Sequence, residues 1–347
     1  MTASDAKRGE PATWPRDVFI LGAGFSRAVS STMPLTQDLY TLCTAVIRAT
    51  RRERGHDDLL LDAYGRFDND LETWLTWLAG AHPWLDEATY LRNRAAFLDI
   101  AVALAQVIVE AQNATIRSSI DNPPTWLHAL VDAWANRGAT VITLNYDALV
   151  EKTYETVVQT KSIALYTFSP EPLQGSRWNG VSNYRFDLLK LHGSITWYVH
   201  PSESSQPLGP VYDAALNRGW ACPDDQAALR NRAGGRRPLL VPPVLGKDPF
   251  FDRPELRDQW LRADECIREA ERLFLLGYSL PQADLAIRFL LDRAPQRCIV
   301  YPVNPDPRVK ERVARVLSPR DIDSRFSGRD DTIRELADAY SELPARL

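Results

Sequence analysis

Five short apolar segments in this 347-residue chain each stop abruptly at a glycine or a polar signature, and that repeated junction limits the fold more than any other feature. Asp17–Leu21 runs into Gly22-Ala23-Gly24-Phe25-Ser26. Ala139–Leu144 runs into Asn145-Tyr146-Asp147, and Asp187–Leu191 into His192-Gly193-Ser194. Arg272–Leu276 runs into Gly277-Tyr278-Ser279, and Cys298–Val303 into Asn304. Short apolar runs of this kind, alternating with helical patterns such as 254–271 and 284–293, predict buried strands of a parallel α/β sheet. A last strand is expected within 321–326. Ligands of open α/β sheets bind at the carboxyl ends of the strands. The five signatures are therefore expected to line one edge together.

The rest of the chain is assigned around that sheet. Residues 1–16 read as a flexible polar lead-in, and 17–347 as a single domain. A helix is expected after the glycines, through Leu39 to Arg48. Residues 51–136 read as a large helical insertion: Leu71, Trp74, Leu75 and Leu78 recur at helical spacing, as do Phe97, Ile100, Leu104, Val107 and Ile108. Asn122-Pro123-Pro124 breaks the chain before a helix at 126–135. Residues 195–253, rich in proline, glycine and polar side chains over 202–249, read as a loop-rich excursion beside the site.

Bulk properties exclude several classes. A net charge of −4 leaves no basic field of the kind a dedicated nucleic-acid binder carries. The local clusters Arg48–Arg54 and Arg230–Arg237 read as solvated faces, with nucleic-acid contact the open alternative. The longest apolar stretch, Phe97–Val109, is interrupted by Asp99 and Gln106 and falls short of the roughly 20 residues of a membrane span. No apolar leader opens the sequence, so a cytoplasmic protein is expected. Cys43, Cys222, Cys266 and Cys298 are scattered, and the histidines form no metal-spaced cluster, so no metal site is expected.

Each signature admits a chemical and a structural reading. Gly22 and Gly24 permit close approach of backbone to a phosphate, although Arg27 stands where a full dinucleotide fingerprint has its third glycine. A ligand-free strand-to-helix turn is the alternative. Asn145 and Asp147 offer an amide and a carboxylate for a carboxamide and ribose hydroxyls; an Asx-turn or helix cap is the alternative. His192 is placed to take a proton near neutral pH, or to serve as a structural histidine.

Taken in order, G-A-G-F-S, T-L-N-Y-D, K-L-H-G-S, G-Y-S-L and V-N resemble the sirtuin superfamily. The likeness is greater to the bacterial sirtuin-like domains of antiphage defence systems, and it spans 18–304. That resemblance implies a Rossmann-like parallel sheet carrying the helical insertion and a loop-rich small module, without a zinc ribbon. It places Gly22, Ala23, Gly24, Phe25 and Ser26 in a phosphate-binding loop. Asn145 and Asp147 fall at the nicotinamide ribose and carboxamide, and His192 is the catalytic histidine. Thr143 heads the second motif and joins the cofactor-binding set, with Gly277 and Ser279 on the adenosine side and Asn304 at the adenosine ribose. Three departures separate the chain from protein deacylases. Only Cys222 lies where they carry a four-cysteine zinc module. Leu144 replaces the glutamine before the asparagine. Met33-Pro34-Leu35-Thr36 keeps only the proline of their first loop.

The activity this implies is cleavage of the nicotinamide–ribose bond of NAD⁺ by an NAD⁺ hydrolase that depletes NAD in antiphage defence. Nicotinamide departs neutral, so the reaction asks for orientation and a nucleophile more than for acid. Asp147 would anchor the carboxamide, Asn145 a ribose hydroxyl or water, and His192 would take the proton. An NAD-dependent protein deacylase and a silent NAD- or ADP-ribose-binding scaffold are the alternatives. With no P-loop and no separate sensor in the sequence, restraint is expected from a homo-oligomer, with 51–136 as its surface or a lid. Its tryptophans Trp74, Trp77 and Trp84 are the candidate contacts. A HerA-type hexameric ATPase is the activator that the resemblance suggests.

Overall fold

The computed structural model describes residues 16–54, 67, 70–120, 123–159, 162–172, 186–200, 209–214, 219–221, 234–244, 253–282 and 284–340. Cys222, the lead-in before Arg16 and much of the 195–253 excursion lie outside the described residues. The chain opens with β1 (Asp17–Leu21), α1 (Ala23–Val29) and α2 (Thr36–Arg54). It continues through α3 (Leu71–Ala79), α4 (Glu87–Ser118), α5 (Thr125–Arg137), β2 (Thr140–Thr143) and α6 (Leu149–Val158). Then come β3 (Glu171–Pro172), β4 (Asp187–Lys190), β5 (Gly193–Val199), β6 (Tyr212–Asp213) and β7 (Arg237–Leu240). The last third holds α7 (Pro254–Arg268), β8 (Arg272–Leu276), α8 (Leu285–Leu291), β9 (Ile299–Val303), α9 (Pro307–Leu317) and α10 (Thr332–Tyr340).

Five strands form one parallel sheet in the order β4-β2-β1-β8-β9. The sheet is buried on both faces, and the two-residue period of a strand sorts its side chains accordingly. Phe19, Leu21, Val141, Leu188, Phe274, Leu276, Tyr301 and Val303 face a layer made by α5, α6 and α10. Val18, Ile20, Ile142, Leu189, Leu273, Leu275 and Val300 face α7, α8 and α9. The result is a Rossmann-like, three-layer α/β sheet whose order reverses at β1. The chain steps from β1 to β2 on one side and resumes at β8 on the other, which leaves a crevice at the carboxyl ends of β1 and β8.

A second sheet, β3-β6-β5-β7, stands beside the first. Sequence patterning reads this region as loop, because β3 and β6 are two residues each and β5 follows His192-Gly193 without a break. A register irregularity between Ser194 and Tyr198 divides β5 between two cores. Ile195 and Tyr198, with Leu240 of β7, pack on α2, α3 and α4, while Trp197 and Val199 turn to the main core.

The helical insertion divides in the same way. α3 and α4 join α2 over the small sheet, whereas Leu127, Leu130, Val131 and Trp134 of α5 cover the parallel sheet. Asp70 and Asp86 accept backbone N–H bonds at the starts of α3 and α4, the usual device for orphan donors. Trp74 is buried and Trp77 packs against the same cluster. Phe97–Val109 is part of a 32-residue helix, α4, which is long and apolar enough to span a membrane by length and composition; 56% of that apolar window is buried inside the protein. Two boundaries differ from the sequence reading. The helix after the glycines is two helices, interrupted before Thr36. The strand expected within 321–326 is reduced to single bridges, Val300 to Ile322 and Asn304 to Ser327.

Candidate active site

The loops after β1 and β8 meet at the point where the strand order reverses. Gly22 N–H donates to Leu276 O at 3.0 Å, and Gly24 N–H donates to Gly277 O at 3.0 Å. A Cβ on Gly22 or Gly24 would lie 2.7 Å from Gly277 O. A Cβ on Gly277, whose φ is +61°, would lie 2.1 Å from Phe25 N. Loop-to-loop packing thus requires all three glycines, before any phosphate is considered.

Phe25 points away from this edge. It is 1% exposed and packs against Trp126 and Trp134 in the core, so its side chain is a core one and only its backbone belongs to the loop. Thr143 is likewise absent from the cleft wall: its hydroxyl accepts the Asn145 N–H at 3.1 Å and so shapes the turn that carries Asn145.

Asn145, Asp147 and Ser26 form a hydrogen-bonded knot between the first two signatures. Asn145 Nδ2 donates to Gly22 O and to Ser26 Oγ, each at 2.9 Å. Ser26 Oγ donates to Asp147 Oδ2 at 2.7 Å, and Asp147 Oδ1 accepts the Leu149 N–H at 3.1 Å. The carbonyl partner at Gly22 fixes the amide's orientation, which leaves Oδ1 of Asn145 as the atom that can accept from a ligand hydroxyl or water. Asp147 therefore fills its structural role at the start of α6 and its place in the cleft wall at once. The Ser26 hydroxyl organises the knot, within the loop that borders the cleft.

His192 sits at the joint between the two sheets, after β4 and before β5. Its carbonyl accepts the Val241 N–H at 2.9 Å, and Gly193 follows with φ +79° and the Leu239 carbonyl where a Cβ would stand. The ring's Nδ1 is 3.2 Å from the Leu144 carbonyl. A carbonyl only accepts, so Nδ1 carries the proton and Nε2 is the basic nitrogen of the neutral ring.

These groups border one cleft of about 1050 Å³. Gly22, Ala23, Gly24, Ser26, Asn145, Asp147, His192, Gly277, Ser279 and Asn304 all line it. Asn304 stands at the end of β9, its Oδ1 accepting the Asp306 N–H at 3.0 Å. No protein-family model matches the chain, and no curated protein does. The solved structures to which it is similar include Sir2 proteins. A Sir2 homologue in complex with NAD aligns over 95% of this chain and 91% of its own, at 14% identity and a TM-score of 0.44. A mutant Sir2 homologue in complex with ADP-ribose aligns over 96% of each chain, at 16% identity and a TM-score of 0.42.

Several groups at the cleft have no chemical role in the sequence reading. Tyr278 donates to Asp284 Oδ2 at 2.8 Å; burial, with Asp284 beside it, pushes its hydroxyl well above the usual tyrosine value, so it stays neutral. Tyr146 is buried against His192, its hydroxyl on Val241 O at 2.7 Å. Arg27 and Arg334 bring positive charge to a wall that otherwise carries Glu72, Asp147, Asp284, Asp306, Asp330 and Asp331. Arg27 is 3.6 Å from Asp38 and Arg334 3.3 Å from Asp331, both partly exposed pairs of the kind worth about 0–1 kcal/mol. A ligand phosphate can displace such a carboxylate at little cost. Arg27 was visible in the sequence as the residue in the third-glycine position; Arg334, far away in α10, carried no signal. Among the described residues no group of three or more metal-binding side chains is found.

Proposed function

We propose that this chain is an NAD⁺ hydrolase, cleaving NAD⁺ to nicotinamide and ADP-ribose in the cleft described above. The observation that carries the reading is convergence: signatures from the ends of five separate strands border one crevice where the strand order reverses. The chemistry of those side chains fits the resemblance that the motifs carry. The cleft, at about 1050 Å³, lies just above the roughly 300–1,000 Å³ of small-molecule sites and leaves room for a large ligand such as a dinucleotide. The Gly22–Gly24 and Gly277–Ser279 loops would flank the diphosphate, with Arg27 and Arg334 as its counter-charges. Asn304 would meet the adenosine ribose.

At the reacting end the C1′–N bond breaks and its electron pair neutralises the pyridinium, so nicotinamide leaves uncharged. Positive charge develops on the ribose, while Asp147 would anchor the nicotinamide carboxamide. Water adds at C1′ and its proton passes to His192 Nε2, while Asn145 Oδ1 orients the water or a ribose hydroxyl. NAD-depleting antiphage defence and a HerA-type ATPase partner rest on the motif resemblance alone; a cytoplasmic location and restraint through a homo-oligomer rest on the sequence expectations, and all belong to the same proposal. The test is incubation of the purified protein with NAD⁺, with and without an acyl-lysine peptide, and chromatography of the products. ADP-ribose and nicotinamide formed without peptide are expected. Nicotinamide release only in the presence of peptide, with transfer of the acyl group, would replace this reading by a deacylase.

A further inference from the structure

β4 buries a lysine. Lys190 is 0% exposed, on the same strand face as Leu188 and two residues before His192. Its Nζ donates to Glu151 Oε1 at 2.7 Å and to the backbone carbonyl of Asp147. Glu151 lies in the first turn of α6, and the Tyr166 hydroxyl donates to the same carboxylate oxygen at 3.2 Å. One ammonium therefore ties the strand that delivers His192 to the turn that delivers Asn145 and Asp147. A neutral polar side chain that merely filled space would not justify burying a charge here, because desolvating an ion is expensive unless geometry repays it.

A third element reaches the same turn. Gln112 of α4, also fully buried, accepts the Ala148 N–H through Oε1 at 2.6 Å. The Asp147–Ala148 segment is thus held from the strand on one side and from the helical insertion on the other.

We infer that Lys190, through its paired bonds to the Asp147 carbonyl and to Glu151, is a positioning residue that sets the distance between the Asn145–Asp147 turn and His192. The inference rests on the hydrolase reading above. It separates two duties of one lysine: neutralising Glu151, which concerns folding, and holding the Asp147 carbonyl, which concerns turnover.

The experiment compares Glu151→Gln, Lys190→Met and the double variant Lys190→Met/Glu151→Gln with wild type. It measures thermal midpoint, kcat and KM for NAD⁺, and calorimetric affinity for ADP-ribose. Lys190→Met leaves Glu151 buried without its cation and is expected to lower the midpoint strongly. The double variant removes both charges, keeps an acceptor for Tyr166, and is expected to recover most of that loss. Its kcat stays about 100-fold below wild type while KM and ADP-ribose affinity remain within about threefold, because the reacting groups are misplaced and the binding surfaces are not. Glu151→Gln retains the bond to Asp147 and is expected to keep kcat within about threefold of wild type. A double variant that recovers stability and kcat together would overturn the inference, as would failure of both lysine variants to fold, since the pair would then be a folding requirement. A wild-type protein that releases no nicotinamide overturns the hydrolase reading and takes this inference with it.

Discussion

At the scale of single residues, the cleft is built from side chains that serve the protein before they serve a ligand. Gly277 shows this most directly. It combines a left-handed backbone with a neighbour 2.1 Å from where its Cβ would stand. Gly277→Ala is expected to cost more than the roughly 1–2 kcal/mol of left-handed strain alone, because the β1 loop must also move. Denaturant unfolding checks this, and a loss below about 1 kcal/mol would show that the two loops are not locked together. The pair Gly22-x-Gly24 was legible in the sequence, but its cause was not. The atoms that forbid a side chain there belong to Gly277 and Tyr278, and no local pattern links residues so distant in the chain. Lys190 is similar. It stood in plain view inside an apolar strand, yet its partners Glu151 and the Asp147 carbonyl become neighbours only when β2 and β4 pair. Substitution of His192 by alanine is expected to lower nicotinamide release by about 10²–10⁴-fold with the fold intact, since a positioned base is worth that much. Circular dichroism and an ADP-ribose titration distinguish lost chemistry from lost structure.

At the scale of elements, the strands of the parallel sheet were legible because both faces are buried and each strand is a short apolar run. Asp17–Leu21 and Arg272–Leu276 match their sequence assignments residue for residue. The small sheet was not legible. Its longest strand, β5, is buried along its whole length but owes that to two different cores, so its pattern has no single period. The helical insertion was legible as helix, while the division of its helices between two cores was not. Trp74 and Trp84 measure that division. Trp74 is 2% exposed inside the cluster of α2, α3 and α4, whereas Trp84 is 73% exposed and stacks on His82. Trp74→Ala is expected to cost about 3–5 kcal/mol in unfolding free energy, and Trp84→Ala less than about 0.5 kcal/mol. Equal effects would contradict the packing described. The tryptophans proposed as oligomer contacts thus separate: Trp74 is committed within the chain, and Trp84 alone of the three is well exposed on the surface.

At the scale of the whole molecule, burial of phenols makes stability depend on pH in a defined direction. Burial, aided by carboxylates nearby, raises Tyr146, Tyr166, Tyr278 and Tyr340 above the ordinary tyrosine value of 10.0. The folded state therefore holds these protons more tightly than the unfolded one. Their contribution is fully present below pH 10 and is lost as pH rises through the folded values. Urea midpoints measured at pH 9, 10 and 11 are expected to fall across the series; a flat profile would contradict the burial of those hydroxyls. The three packed clusters that bury them also draw the five strand ends together, and the account of function depends on that convergence. The most direct test is nicotinamide release from NAD⁺ by the wild-type protein and His192→Ala, measured side by side at saturating NAD⁺ with calorimetry on the same samples. The account predicts steady release by wild type and loss of release in the variant, with binding of ADP-ribose retained by both. Wild-type release that persists in His192→Ala, or wild-type protein that neither binds ADP-ribose nor releases nicotinamide, would contradict it.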